Sequence, residues 1–135
     1  MSKVILPEHD LTIFCDDVRE EVNGKLSIIG TYGNGINFSN PLPTILPKFI
    51  LFTRVLGGDG EFDLTFKFHD PDGEDLLKER SPMHIKARPG IMGNLIIGLS
   101  PFRVSKQGEY SFEILIDGKP FHTKKFTVRV KEKNA

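Results

Sequence analysis

Residues 61–70, EFDLTFKFHD, change side at every step: Phe62, Leu64, Phe66 and Phe68 point one way, Asp63, Thr65, Lys67 and His69 the other. A repeat of two suits a pleated strand, whose successive side chains leave opposite faces, and no helix satisfies it. EYSFEILID, residues 109–117, repeats the pattern, with Tyr110, Phe112, Ile114 and Ile116 opposed to Ser111, Glu113 and Asp117. One wet face on each strand predicts antiparallel sheets rather than a parallel sheet buried on both sides. Residues 11–16, 25–32, 48–55, 83–88, 94–102 and 124–130 read as further strands. Of these, KFILFTRV (48–55) is apolar on both faces in its middle, as a central strand is.

The punctuation between these runs agrees. Asn23-Gly24 and Asp117-Gly118 are residues of tight hairpin turns. Pro71-Asp72-Gly73 combines a preset φ with a residue that tolerates positive φ. INFSNPLPTILPK holds three prolines, Pro41, Pro43 and Pro47, and so reads as a long crossover between sheets, not as a central strand. GEDLLKER (73–80) is the one stretch compatible with a helical turn, and it is too short to change the class. Eight short strands with turn residues between them predict an all-β, antiparallel, immunoglobulin-like sandwich of about seven to nine strands, one domain over residues 1–135. Its expected core is Ile13, Ile28, Phe62, Leu64, Phe66, Phe68, Ile97, Tyr110, Phe112, Ile114 and Val128.

Composition narrows the partners. Eighteen Lys and Arg balance eighteen Asp and Glu, so no global field draws the chain to nucleic acid or an anionic membrane. The single cysteine, Cys15, excludes an intrachain disulfide and favours a reducing compartment. The opening MSKVILPEHD has too short an apolar run for a signal peptide or a span, so the expected location is the cytoplasm.

Candidate chemistry is thin. FCDDVREEVNGKLSIIGTY carries Asp16, Asp17, Glu20 and Glu21 beside a hairpin turn, where charge keeps a strand end solvated. Asp70, Asp72 and Glu74 alternate as in a calcium loop, but position twelve is Ser81 where that loop needs a bidentate Glu. A cation shared between the two stretches remains an alternative. His9, His69, His84 and His122 lack zinc-site spacing, and Cys15 falls on the face of Leu11 and Ile13 as a small core residue. Gly30, Gly33 and Gly35 are followed by Ile36-Asn37-Phe38 and prolines instead of the helix a phosphate loop requires. No catalytic, cofactor-binding or metal residue is assigned.

Charge is asymmetric along the chain. Residues 1–24 hold six acids and two bases, residues 119–135 six bases and one acid. Lys125, Arg129 and Lys131 line one face of the last strand without the aromatic residues that stack on nucleic acid. The economical reading pairs the first and last strands as neighbours, with opposite charges facing across them.

IFCDDVREEVNGKLSIIGTYGNGI, through Asp17, Val18, Arg19, Gly24, Lys25, Leu26, Ser27, Ile29 and Gly30, followed by NPLPTILP, resembles the N-terminal signature of an uncharacterised family of small bacterial proteins. GEYSFEILIDGK resembles that family's closing hairpin. The resemblance implies a stand-alone immunoglobulin-like sandwich of a bacterial cell or phage, and carries no catalytic residue.

Three functions stay open: a non-enzymatic interaction or structural module with a protein partner, a calcium or carbohydrate binder, and an enzyme with dispersed catalytic residues. The first leads, because no catalytic grouping is visible. The absence of Trp, with only two Tyr, counts against a sugar platform. Unpaired sheet edges allow a homodimer, although no residue demands one. Phe66→Ala, removing a ring assigned to the core, is expected to lower unfolding free energy by about 3–5 kcal/mol in urea titration.

Overall fold

The computed structural model describes residues 4–78 and 81–131. Along the first half of the chain run β1 (Glu8–Glu20), β2 (Leu26–Tyr32), β3 (Gly35–Phe38), β4 (Thr44–Leu46), β5 (Phe49–Leu56) and β6 (Gly60–His69). β7 (Met83–Ala87), β8 (Met92–Leu99), β9 (Phe102–Val104), β10 (Gly108–Ile116) and β11 (Lys119–Val130) complete the set. One sheet has the order β2-β1-β5-β8 and a second the order β3-β11-β10-β6-β7. β4 and β9 form a ribbon that prolongs the β5–β8 pair: Phe49 lies opposite Leu99, and Leu46 opposite Phe102.

The turn chemistry behaves as written in the sequence. Asn23 and Gly24 have φ of 70° and 74°, and Asp117 and Gly118 have 47° and 79°, the left-handed pairs that reverse a two-stranded ribbon. β5, apolar on both faces, sits between β1 and β8. The proline-bearing stretch does cross between the sheets, but it carries two short edge strands, β3 and β4, on the way.

Three expectations are corrected. Eleven strands are present among the described residues where seven to nine were expected, because β3, β4 and β9 span only three or four residues, too short for a period of two to register. The pairing is also not wholly antiparallel: β3 runs parallel to β11, Thr127 opposite Gly35. A Cβ on Gly35 would lie 2.0 Å from the Thr127 carbonyl oxygen, so this close parallel seam requires glycine there. Finally, β1 and β11 belong to different sheets. GEDLLKER forms turns as far as Lys78, and Glu79 and Arg80 lie outside the described residues. No helix among the described residues is long and apolar enough to cross a membrane.

Between the sheets lies an aromatic core. The ring of Phe14 on β1 stands 4.9 Å from Phe126, 6.1 Å from Phe112 and 6.3 Å from Phe68, all on the opposite sheet. Phe49 on β5 stacks on Phe14 at 5.9 Å and reaches Phe126 and Phe68 at 5.4 and 6.0 Å. Such offset and edge-on pairs add to what burial alone contributes. Tyr110 is buried by the same rings, and its hydroxyl donates to the Lys106 carbonyl at 2.8 Å. A tyrosine at the start of a strand, bonded back to backbone a few residues upstream, is the corner found in immunoglobulin sandwiches.

Nine of the eleven expected core residues are buried in this layer. Ile13 and Ile28 are not among them. They are half-buried against a second cluster formed by Cys15, Ile50 and Phe52. The error has a simple cause: LTIFC is apolar at consecutive positions, so its parity does not say which side faces inward. Phe14→Ala is expected to cost about 3–5 kcal/mol and Ile13→Ala about 1–2 kcal/mol, compared by urea unfolding of the two variants.

Candidate functional site

The acidic stretch 16–21 is a set of local partnerships. The Tyr32 hydroxyl donates to Asp16, whose side chain lies over Gly30. Gly30 has φ of 66°, and a Cβ there would strike that carboxylate, so glycine is the residue that lets the two strands carry this contact. Burial and the Asp16 carboxylate raise the Tyr32 pKa far above the phenol range. Asp17 receives Lys48 Nζ at 2.5 Å and Arg19 Nε at 3.2 Å, and these bonds, Lys48 first, hold its pKa below the ordinary value. Glu20 and Glu21 are exposed at the hairpin end.

In the second stretch, Asp70 is buried and its Oδ1 accepts the backbone N–H groups of Asp72 and Glu74 at 2.9 and 3.0 Å. Lys106 Nζ lies 2.8 Å from Asp70 and 2.7 Å from Asp72. An ammonium from the chain itself therefore sits between Asp70 and Asp72, two of the three acids of this loop. The Lys106 bond is the main cause of the lowered Asp70 pKa, and the same contacts raise that of Lys106. No hydrogen bond or ion pair joins the two acidic stretches among the described residues. No group of three or more metal-ligating side chains occurs among them either.

The histidines separate into three environments. His84 bonds Asp63 at 2.9 Å and Glu61 at 3.3 Å on the exposed face of the second sheet, which raises its pKa. His69 is half-buried on β6 opposite Ser111. His9 and His122, far apart in the chain, stack with ring centroids 3.5 Å apart and planes 11° apart. Sequence spacing gives no sign of that meeting. Burial lowers both their pKa values, and Lys124 beside them adds to it. His9 Nε2 bonds Thr12 Oγ1 at 2.7 Å, Thr12 bonds buried Thr53 at 3.1 Å, and Lys124 Nζ donates to the Thr12 carbonyl at 2.8 Å. This polar seam ties β1 to β11 across the layers, in place of the strand pairing expected from charge.

Cys15 is fully buried, and burial pushes its thiol pKa up, away from nucleophilic use. Gly33 precedes β3 at the crossover. In the basic stripe, Lys125 pairs with Glu109 at 2.9 Å, Arg129 is exposed, and the Lys131 N–H donates to the Phe38 carbonyl at 2.7 Å.

What the sequence reading missed lies on the first sheet. The outer face of the second sheet is polar, with Glu61, Asp63, Lys67, Glu113, Lys125 and Arg129 upon it. The outer face of the first is not. Ile13, Phe52 and Ile96 form one row across β1, β5 and β8, and Cys15 and Ile50 lie in the next. Arg54 lies over the Phe52 ring at 5.7 Å and bonds Asn94 at 2.9 Å. β8 ends this sheet, and its second edge pairs with no strand among the described residues. Ile91, Met92 and Ile96 are 59%, 55% and 42% exposed there. No charged residue occurs from 89 to 102, PGIMGNLIIGLSPF. That window is visible in the sequence; that it forms a sheet edge is not. Between β7 and β8 a small apolar cavity of ≈ 60 Å³ is lined by Val55, Ile85, Ala87, Ile91, Met92 and Leu95.

The described residues form a two-sheet β-sandwich whose first sheet has an apolar outer face running out to β8. The chain belongs to the family of unknown function DUF6941, whose profile matches residues 10–129. Among solved structures, it is similar to an immunoglobulin-like protein from Pseudomonas aeruginosa, at 14% identity over 92% of each chain with a TM-score of 0.33. A search of curated protein sequences found no match.

The Asp70–Lys106 bond has a pH signature. A carboxylate whose folded pKa is depressed contributes stability above its unfolded pKa, about 3.9, and that contribution is lost as pH falls through the folded value. Lys106→Met should therefore flatten the acid limb of stability below about pH 4, read from urea midpoints over a pH series. An acid limb as steep as that of the unaltered chain would show that Asp70 is not held by Lys106.

Proposed function

We propose that this protein is a non-enzymatic interaction module of the bacterial cytoplasm that binds a protein partner along the edge of β8. The observation that carries the reading is the charge-free edge strand, with Ile91, Met92 and Ile96 exposed beside it. An edge strand can receive an incoming strand, and alternate side-chain positions give such a contact its specificity. The other edges carry protection. β7 presents His84 and Lys86, β3 has only four residues, and Gly30 interrupts β2 with a left-handed backbone. Long apolar edges expose a chain to aggregation, so an edge strand without a charge of its own calls for a use.

The calcium reading has less support, since Lys106 already pairs with both Asp70 and Asp72. The enzyme reading has less support, since the cavity beside β8 is lined mainly by apolar side chains and no group of three or more metal-ligating side chains occurs among the described residues.

The test begins with affinity capture by the full chain, identification of the bound protein by mass spectrometry, and reconstitution from purified components. Ile96→Lys is expected to weaken the reconstituted complex at least tenfold while leaving the melting temperature within a few degrees. A complex indifferent to Ile96→Lys, or purified protein that turns over substrates in a broad screen, would overturn the proposal.

A further inference from the structure

We infer that the stacked His9–His122 pair is a proton-operated clasp between the two sheets, closed when both rings are neutral and released when the pair takes up charge. It does not depend on what β8 binds. Both strands are reshaped to make the pair. On β1, His9 lies opposite Val55 and Leu11 opposite Arg54, so Asp10 is an extra residue in that ladder. Strict alternation would set His9 on the outer side with Leu11 and Ile13; the extra residue turns it inward with Thr12 and Phe14. On β11, His122 lies opposite Ile114 and Pro120 opposite Leu115, which makes Phe121 the extra residue there. The two imidazoles meet at 3.5 Å with planes 11° apart, and the Phe121 ring stands edge-on to His9 at 6.4 Å. Phe121 packs in turn against the main core.

Neutral imidazoles stack, whereas two imidazolium rings at this separation repel in a half-buried place that water screens poorly. The first proton therefore opposes the second. Lys124, anchored on the Thr12 carbonyl at 2.8 Å, adds its own charge beside both rings, and Asp10 pulls the other way at His9. β5 and β10 set the apolar Val55 and Ile114 opposite the histidines. Their nearest charges face away: Arg54 lies over Phe52, and Glu113 lies opposite exposed Thr123. His9 Nε2 bonds Thr12 Oγ1 at 2.7 Å, so a ring that swings out also breaks the polar seam joining β1 to β11.

The sign follows from linkage. In the unfolded chain each imidazole takes its proton near pH ~6.5. In the folded chain burial, and then the neighbouring positive charge, hold both pKa values lower. The unfolded chain thus binds more protons, and stability falls as pH drops from about 6.5 through the folded values. Asp70 acts in a separate window, below about pH 4. His84, held by Asp63 and Glu61, shifts in the opposite sense, and on its exposed face it contributes little.

Histidine-ring and backbone-amide NMR of the full chain, from about pH 8 to about pH 4.5, tests the clasp. His9 and His122 are expected to titrate in two steps roughly one pH unit or more apart, both below His84. Amides of residues 8–12 and 119–124 should move with the lower step. His122→Phe, which keeps a flat ring in the stack, should raise the His9 pKa and remove most of the fall in urea midpoint between about pH 6.5 and about pH 5. Lys124→Met should move both steps to higher pH, and His84→Gln should leave them in place. Rings that titrate at one common value, or that protonate without moving either strand, overturn the clasp. So does a fall in urea midpoint that persists in full in His122→Phe. If that variant does not fold, the titration and amide shifts of the unaltered chain decide the matter.

Discussion

The whole sandwich depends on phenylalanine rings meeting across its middle. Phe14 and Phe49 come from one sheet, Phe68, Phe112 and Phe126 from the other, and their centroids lie 4.9–6.3 Å apart across the layer gap. Because strand side chains alternate, this meeting sets the register of every strand that supplies a ring: a slip of one residue would turn Phe14 out and Ile13 in. The Tyr110 corner, the β10–β11 hairpin and the placement of β6 all hang from that layer. So does the distinction between the two outer faces, since whatever the core does not take must face outward.

On the second sheet the remainder is polar and the outcome ordinary. On the first sheet it is not, because β5 is apolar at successive positions. Phe49 and Leu51 enter the core, which leaves Ile50 and Phe52 outside with Cys15, Ile13 and Leu11. The Arg54 guanidinium over Phe52 covers part of this patch, and the neighbouring aliphatic chains cover more. The coverage thins towards β8, where Ile96 and Met92 are exposed. The apolar outer face that runs out to β8 is thus a consequence of a central strand richer in apolar residues than one core can absorb.

Polar groups drawn inward are all matched. No buried side-chain nitrogen or oxygen lacks a hydrogen-bond partner among the described residues. Thr12 and Thr53 answer each other, His9 and Lys124 reach the same place, and Asp70 is capped by its own loop amides and Lys106. Matched groups of this kind hold geometry. The acidic residues that drew attention in the sequence are employed in the same way, one with Tyr32, another with Lys48 and Arg19.

The alternation of β6 and β10, the Asn-Gly and Asp-Gly turns and the central character of β5 were legible in the sequence because each is a local matter: a period of two, a φ preference, a run apolar on both sides. The same reading could not orient LTIFC, where Ile13, Phe14 and Cys15 put apolar side chains on both faces, and it set Ile13 in the wrong layer. It could not see β3, β4 and β9, whose few residues need a neighbour's hydrogen bonds to become strands at all. Nor could it bring His9 to His122, or Lys106 to Asp70, since those meetings depend on which strands fold over one another. The absence of charge from 89 to 102 was written in the chain from the start. Only the order of strands put that stretch last in its sheet, because a strand's place depends on which distant segments pair with it.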